Sequence, residues 1–291
     1  MSNSLGIIFA LVALTCWGFG DFLLQRAVRK LGNWESLFIG SSVGSVILFP
    51  FVLKDFNYFT HLSVEEVTIL ALVALTFFSS SFISAESYKV GKLAVVESVG
   101  AIEILVAGVL SYFIFGEKLS LVSAIFVLLL ISGILLVALK PHHFRREAWI
   151  ERGAFLALAS AVMLGLADFM ISFGARATSP VITVWSFNII IALIAFLYLK
   201  MNGQLRNFLK DISLHKGLMT GVGLLGNIAW LSFAFSIQVI PVVIALALSE
   251  GYIVLATSLG LFVNREKLQS YQLLGVLLAV LGAIALSVSI S

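Results

Sequence analysis

Charge and cysteine are both scarce in this chain. Asp, Glu, Lys and Arg make up 11% of its 291 residues, too few to solvate the surface of a water-soluble fold of this length. The single cysteine, Cys16, excludes an intrachain disulfide and any thiol cluster for a metal. Of four histidines, His142 and His143 are adjacent in a polar stretch and have no spaced partners, so no metal site is expected. No GxxxxGK[ST] loop is present, which argues against ATP as the driving force within this chain, and no cofactor is expected.

What fills the chain instead is apolar. Hydrophobic residues account for 60% of it and the mean hydropathy is +1.10; in water such a chain would expose far too much apolar surface. Polar residues gather in short clusters between apolar stretches close to the roughly 20 residues that cross a bilayer as a helix. The reading is an all-α integral membrane protein with the lipid bilayer as its partner. A net charge of +3 does not imply a nucleic-acid partner, because basic residues at membrane flanks set orientation. The stretch 5–26 is longer than a signal-peptide core and has no basic region ahead of it, so it reads as a retained first helix.

Breaks at charges, prolines and loop residues predict ten transmembrane helices, over 5–26, 36–53, 66–88, 93–115, 119–139, 152–173, 180–200, 216–237, 241–263 and 270–289. The shortest connections are "YKVGK" and "QVIP", where merging two helices would change the topology. A long loop, "KPHHFRREAWIER", separates five helices from five, and the halves repeat. "WGFGDF" (17–22) matches "LGLADF" (164–169) at an offset of 147, so Gly18, Asp21 and Phe22 recur as Gly165, Asp168 and Phe169; "FGEKL" (115–119) matches "NREKL" (264–268) at an offset of 149. The predicted organisation is a first repeat over 1–140, a connecting loop over 141–149 and a second repeat over 150–291. Because five is odd, the second repeat is inverted in the membrane, as in many secondary transporters.

Lys and Arg test the inversion independently. The connections and helix flanks after helices 1, 3, 5, 7 and 9 hold 15 of them, against 3 on the other side. The rich side is expected in the cytoplasm and both termini outside, in a cell (plasma or inner) membrane.

The acids within the helices invite chemistry. Glu103 and Glu250 lie near the middle of helices 4 and 9, about ten residues or ~15 Å from the helix start. An ionised carboxylate there costs several kcal/mol unless it faces water or a partner, and a carboxyl that takes up and releases a proton is the working part of a proton-coupled carrier. The competing reading is a neutral Glu acting as packing glue. Glu97 sits about one turn into helix 4 and about 120° around it from Glu103; a rim ion pair with Lys89 or Lys92 accounts for it, and Glu86 is read the same way. Asp21 and Asp168, at matching places in the two halves, are expected to hold neighbouring helix ends rather than touch solute. The "GFGD" stretch (18–21) resembles one catalytic motif of intramembrane aspartyl proteases, but the Tyr-Asp partner motif is absent and the repeat copy reads "GLAD".

Polar and aromatic residues inside the helices form a candidate pocket: Trp17, Trp185, Asn188, Asn227, Trp230 and Tyr252. Amides in lipid turn toward the bundle interior, Asn227 and Trp230 share a helix face, and aromatic planes with a few amides suit amphipathic organic solutes or amino acids. "SSSFISAES" (79–87) makes helix 3 the hydroxyl-rich counterpart of helix 8.

Ten helices in two inverted halves, "CWGFGDF" in helix 1 and "FGEKL" closing helix 4 resemble the EamA-type carriers of the drug/metabolite transporter superfamily. Trp17 and Gly18 match the family's Trp-Gly pair, and Gly116 with Glu117 its Gly-Glu pair, of which only Glu266 recurs in the second half. Helix 4 lacks the proline common in the family, helix 9 has only Pro241 at its start, and Asp21 stands where asparagine is frequent. The resemblance implies alternating access around a central cavity, with export of small metabolites a frequent task. The expected function is therefore a secondary transporter, a proton-coupled exporter of a small-molecule solute, acting as a monomer or weak homodimer. A facilitator or exchanger without proton coupling is the nearest rival. A membrane-embedded enzyme is the rival of another class, against which the lack of a His, Cys or paired-Asp constellation counts.

Overall fold

The computed structural model describes residues 2–54, 61–90, 99–100, 102–138, 152–205, 208, 215–255 and 270–290. Among them the regular elements are ten helices and no strand: α1 (Asn3–Leu31), α2 (Asn33–Lys54), α3 (Val64–Val90), α4 (Ile102–Phe115), α5 (Leu121–Ala138), α6 (Arg152–Ala177), α7 (Pro180–Met201), α8 (Lys216–Val239), α9 (Val242–Ser249) and α10 (Ser270–Ile290). Seven of these (α1, α2, α3, α6, α7, α8 and α10) are long and apolar enough to cross a membrane; α4, α5 and α9 are shorter apolar helices. Glu97, Lys92, His142, His143, Glu266 and the connecting loop 141–149 lie outside the described residues.

Local signals explain the helix ends. Gly32, at φ 114°, closes α1 with its N–H on the Val28 carbonyl, a conformation that side chains resist. Ser179 caps α7 by accepting from the Ile182 N–H, and Pro180 occupies the first helical position, where its missing N–H costs nothing. "QVIP" does separate two helices: Ile240 is extended and Pro241 opens α9.

Helix 9 departs from expectation. Instead of running unbroken to 263, it stops at Ser249, turns through Glu250 and Gly251, and resumes over 252–255. The Gly251, Ile253 and Val254 N–H groups each reach a carbonyl three residues back, so the backbone tightens but stays hydrogen-bonded within a buried stretch.

The packing is paired across the halves. α1 packs chiefly on α8 and α3 on α6; α2 packs on α7 and α5 on α10; α4 meets α6 and α9, and α9 meets α1. Exchanging α1–α5 for α6–α10 maps this set of partners onto itself. The buried core runs through Trp17, Phe77, Phe187 and Phe233, whereas Leu, Val and Phe side chains such as Val46, Phe113 and Leu277 point outward, the distribution that lipid favours and water does not.

Candidate functional site

Where α1, α2, α3, α6, α7 and α8 surround the bundle centre they leave a cavity of about 170 Å³, completed by Glu103 of α4 and by Glu250 and Tyr252 at the break in α9. Its lining extends to Val28, Ser36 and Tyr88, all within three residues of a helix end, at the side where α1 gives way to α2. At the opposite side no residue of the α6–α7 or α8–α9 turns lines it. The cavity thus reaches one end of the bundle.

Its floor is aromatic. Trp230 stands edge-on to Trp17 (centroids 4.9 Å, 73°) and to Phe77 (4.6 Å, 80°), Phe77 lies 4.2 Å from Phe187, and Tyr252 meets Trp17 at 6.1 Å. These edge-to-face contacts fix the rings and leave faces available to a solute. One wall carries hydroxyls, Ser36 and Ser41 from α2 with Ser81 and Ser84 from α3; the last two come from the hydroxyl-rich run.

The wall facing them is held by amides. Asn188 donates to the Asn227 side-chain oxygen (2.7 Å) and to the Val184 carbonyl (2.8 Å), while Asn227 donates to the carbonyls of Gly40 (2.9 Å) and Gly223 (2.8 Å). A Cβ on Gly44 would collide with Asn227, so only glycine lets α2 come this close. The two asparagines therefore tie α2, α7 and α8 together at the cavity edge. Trp185 is not brought to the cavity: its indole N–H donates to the Ser45 carbonyl at 3.0 Å, fastening α7 to α2 away from the lining. Glu86, expected near a lysine, accepts from the Asn33 amide at 2.8 Å.

Four acids line this one space, Asp21, Glu103, Asp168 and Glu250, and among the described lining residues there is no Lys, Arg or His. Glu103, Asp168 and Glu250 are 6%, 2% and 2% exposed, so any ionised form must be compensated inside the cavity. Sequence reading favours a fold role for Asp21 and Asp168, holding a neighbouring helix end, over solute contact; both side chains line the cavity. The repeated glycines account for the geometry. A Cβ on Gly165 would stand 2.6 Å from the Glu103 carbonyl and 3.1 Å from its Cα, so α6 lies directly on the α4 backbone at Glu103, with Asp168 one turn further on and within electrostatic range of it. Gly18, its counterpart, meets the side chain of Leu255 after the α9 break rather than a backbone. An offset of 149, that of the FGEKL match closing helix 4, carries Glu250 back to position 101, two residues from Glu103, so the two glutamates are near-equivalents in the two halves rather than exact mates.

Beyond the predicted set, the serines of α2 and the two aspartates belong to the cavity. The repeat of a glycine three residues before each aspartate was the signal available for the latter. Among the described residues no group of His, Cys, Asp and Glu is arranged to hold a metal ion.

The family model of the EamA-like transporters matches residues 4–139 and again 151–288. The chain belongs to the EamA-like transporter family. It is therefore a multi-pass membrane transporter of the drug/metabolite superfamily, and its solute partner is a small molecule. A solved chain titled only "Crystal structure of protein" is similar to this EamA-like transporter at a TM-score of 0.74, covering 100% of this chain and 98% of that one at 15% identity; the likeness concerns the fold. No curated protein matches.

Proposed function

We propose that this EamA-like transporter is a proton-coupled exporter that carries small metabolites, amino acids or amphipathic organic solutes by alternating access. The observation that carries the reading is the convergence of four carboxyls, from both halves of the chain, on one aromatic cavity. A carboxyl inside a membrane cavity can take up a proton or meet a cationic group on the solute. Solutes bearing an amine are accordingly favoured within the class, with the ammonium near Glu103 or Glu250 and an apolar body on Trp17, Trp230 and Tyr252. A proton and an ammonium competing for the same carboxyls is the simplest coupling device: one must leave as the other arrives.

In this reading ten spans form two inverted repeats, 1–140 and 150–291, in the cell membrane, and the broken α9 sets Glu250 at mid-depth as discontinuous helices do in other carriers. The excess of Lys and Arg after the odd-numbered helices supports a cytoplasmic position for the open end of the cavity, with the termini outside. Asn188 and Asn227 shape the wall, and Trp185 holds α7 against α2. The experiment is purified protein in liposomes with an imposed pH gradient, screened with amines, zwitterions and neutral amphiphiles. Solute-dependent proton movement, strongest for amines, is expected. Solute flux that ignores the gradient would leave a facilitator or exchanger.

A further inference from the structure

The end of the bundle that the cavity does not reach is fastened by one ion pair with unusual reach. Glu117 follows α4 after Gly116, whose φ of 67° turns the chain inward. One oxygen of its carboxylate pairs with the Arg176 guanidinium at the end of α6, and the other accepts the Val242 N–H, the first of α9, at 2.9 Å. Arg176 in turn donates from Nε (3.2 Å) and Nη2 (2.9 Å) to the Ile237 carbonyl in the last turn of α8, and lies over the Phe115 ring at 4.3 Å. A carboxylate at a helix N-terminus and a guanidinium at a helix C-terminus each complement the helix dipole. Two side chains thereby join the ends of α4, α6, α8 and α9 at the end of the bundle that the cavity lining does not reach. Gln238, donating to the Ala175 carbonyl at 2.7 Å, adds a second tie between α8 and α6.

Among the described residues, the other end repeats the arginine-to-carbonyl part of this device. An offset of 147 takes Arg29 to Arg176, and one of 149 takes Tyr88 to Ile237. The structure repeats the contact itself: Arg29 Nε donates to the Tyr88 carbonyl at 3.3 Å. That end is the one at which Val28 and Tyr88 line the cavity.

We infer that Glu117 and Arg176 form the clasp that shuts the cavity on their side, released when solute passes through that side, and that Arg29 on Tyr88 is its symmetry mate at the open end. The inference rests on alternating access but not on the identity of the solute or the use of protons. It gives Glu117 a gating task rather than a place in the solute site: its two carboxylate oxygens are taken by Arg176 and by the first N–H of α9.

The test reads access directly. A single cysteine replaces Leu164, a half-buried lining residue at mid-depth, in a Cys16→Ser background, and a membrane-impermeant thiol reagent is applied to right-side-out and inside-out vesicles. With the clasp intact, labelling is expected predominantly from the Tyr88 side. Glu117→Gln or Arg176→Gln should raise labelling from the Arg176 side by about tenfold, the loss of one charge-assisted hydrogen bond, and lower it from the Tyr88 side. Arg29→Gln should not do so. The swap Glu117→Arg with Arg176→Glu should restore the original sidedness in part, which also covers a single variant that folds poorly. Unchanged sidedness in folded Glu117→Gln, with only a lower melting temperature, would make the pair a structural tie and overturn the inference. Failure of proton coupling with sidedness changed as described would leave the clasp standing.

Discussion

Gly165→Ala tests whether the repeated glycine positions the central carboxyls. The added methyl would lie 2.6 Å from the Glu103 carbonyl oxygen and 2.7 Å from Val106 Cβ; ordinary contact requires roughly 0.8 Å more. Neither neighbour is the free end of a flexible side chain, so α6 and α4 must separate by about that distance, at a cost of ~1–3 kcal/mol for overpacking. Glu103 rides on the displaced backbone and Asp168 on the displaced helix, so the relation between the two carboxyls changes by a similar amount, enough to impair a site that depends on their placement. The control is Gly133→Ala, whose methyl meets the backbone of Gly275 and Ala279 where α5 packs on α10, away from the cavity lining. Thermal unfolding in one detergent should show comparable losses for both variants, whereas flux per folded molecule should fall severalfold only in Gly165→Ala. Equal flux in the two variants would refute the positioning argument, and unchanged stability in Gly165→Ala would refute the packing argument beneath it.

Trp185→Phe removes one interhelical hydrogen bond to Ser45 and should lower stability by about 0.6–1.7 kcal/mol with solute affinity intact; a loss of affinity would return Trp185 to the solute site. Asp168→Asn keeps volume on the cavity wall and should cut transport while moving the melting temperature little. A large drop in stability, matched by Asp21→Asn, would instead make the aspartates fold anchors. Cysteines at Ser2 and Gln204, in a Cys16→Ser background, should be labelled from opposite sides of the membrane, Ser2 from outside; labelling of both from one side would contradict the alternating topology.

Much of this was legible in the residues because lipid makes helical packing simple to read. An apolar run of about 20 residues has one way to satisfy its backbone, and loop chemistry such as Ser179-Pro180 or Ile240-Pro241 marks where it stops. The cavity's aromatic floor was legible for the same reason, since Trp and Asn within such runs turn inward. What was hidden is what side chains do once there. Trp185 and Trp230 look alike in sequence, yet one indole reaches a backbone carbonyl of α2 and the other stands in the cavity. The break at Glu250 escaped because neither Glu nor Gly need interrupt an apolar helix, and the shared wall of Asp21 and Asp168 depends on how closely two glycines let helices approach. Arg176 and Arg29 were visible only as flanking charges; their matching carbonyl contacts require the folded pair of halves.

The most direct measurement concerns Glu103. Glu103→Gln preserves shape and fixes the group as neutral, so in liposomes with an imposed proton gradient it should abolish uphill accumulation while solute exchange and downhill leak continue. Glu250→Gln should do the same or shift the pH optimum. Glu103→Gln that still accumulates solute, with an unchanged pH profile, would reduce the buried acid to packing glue and contradict proton coupling through this cavity.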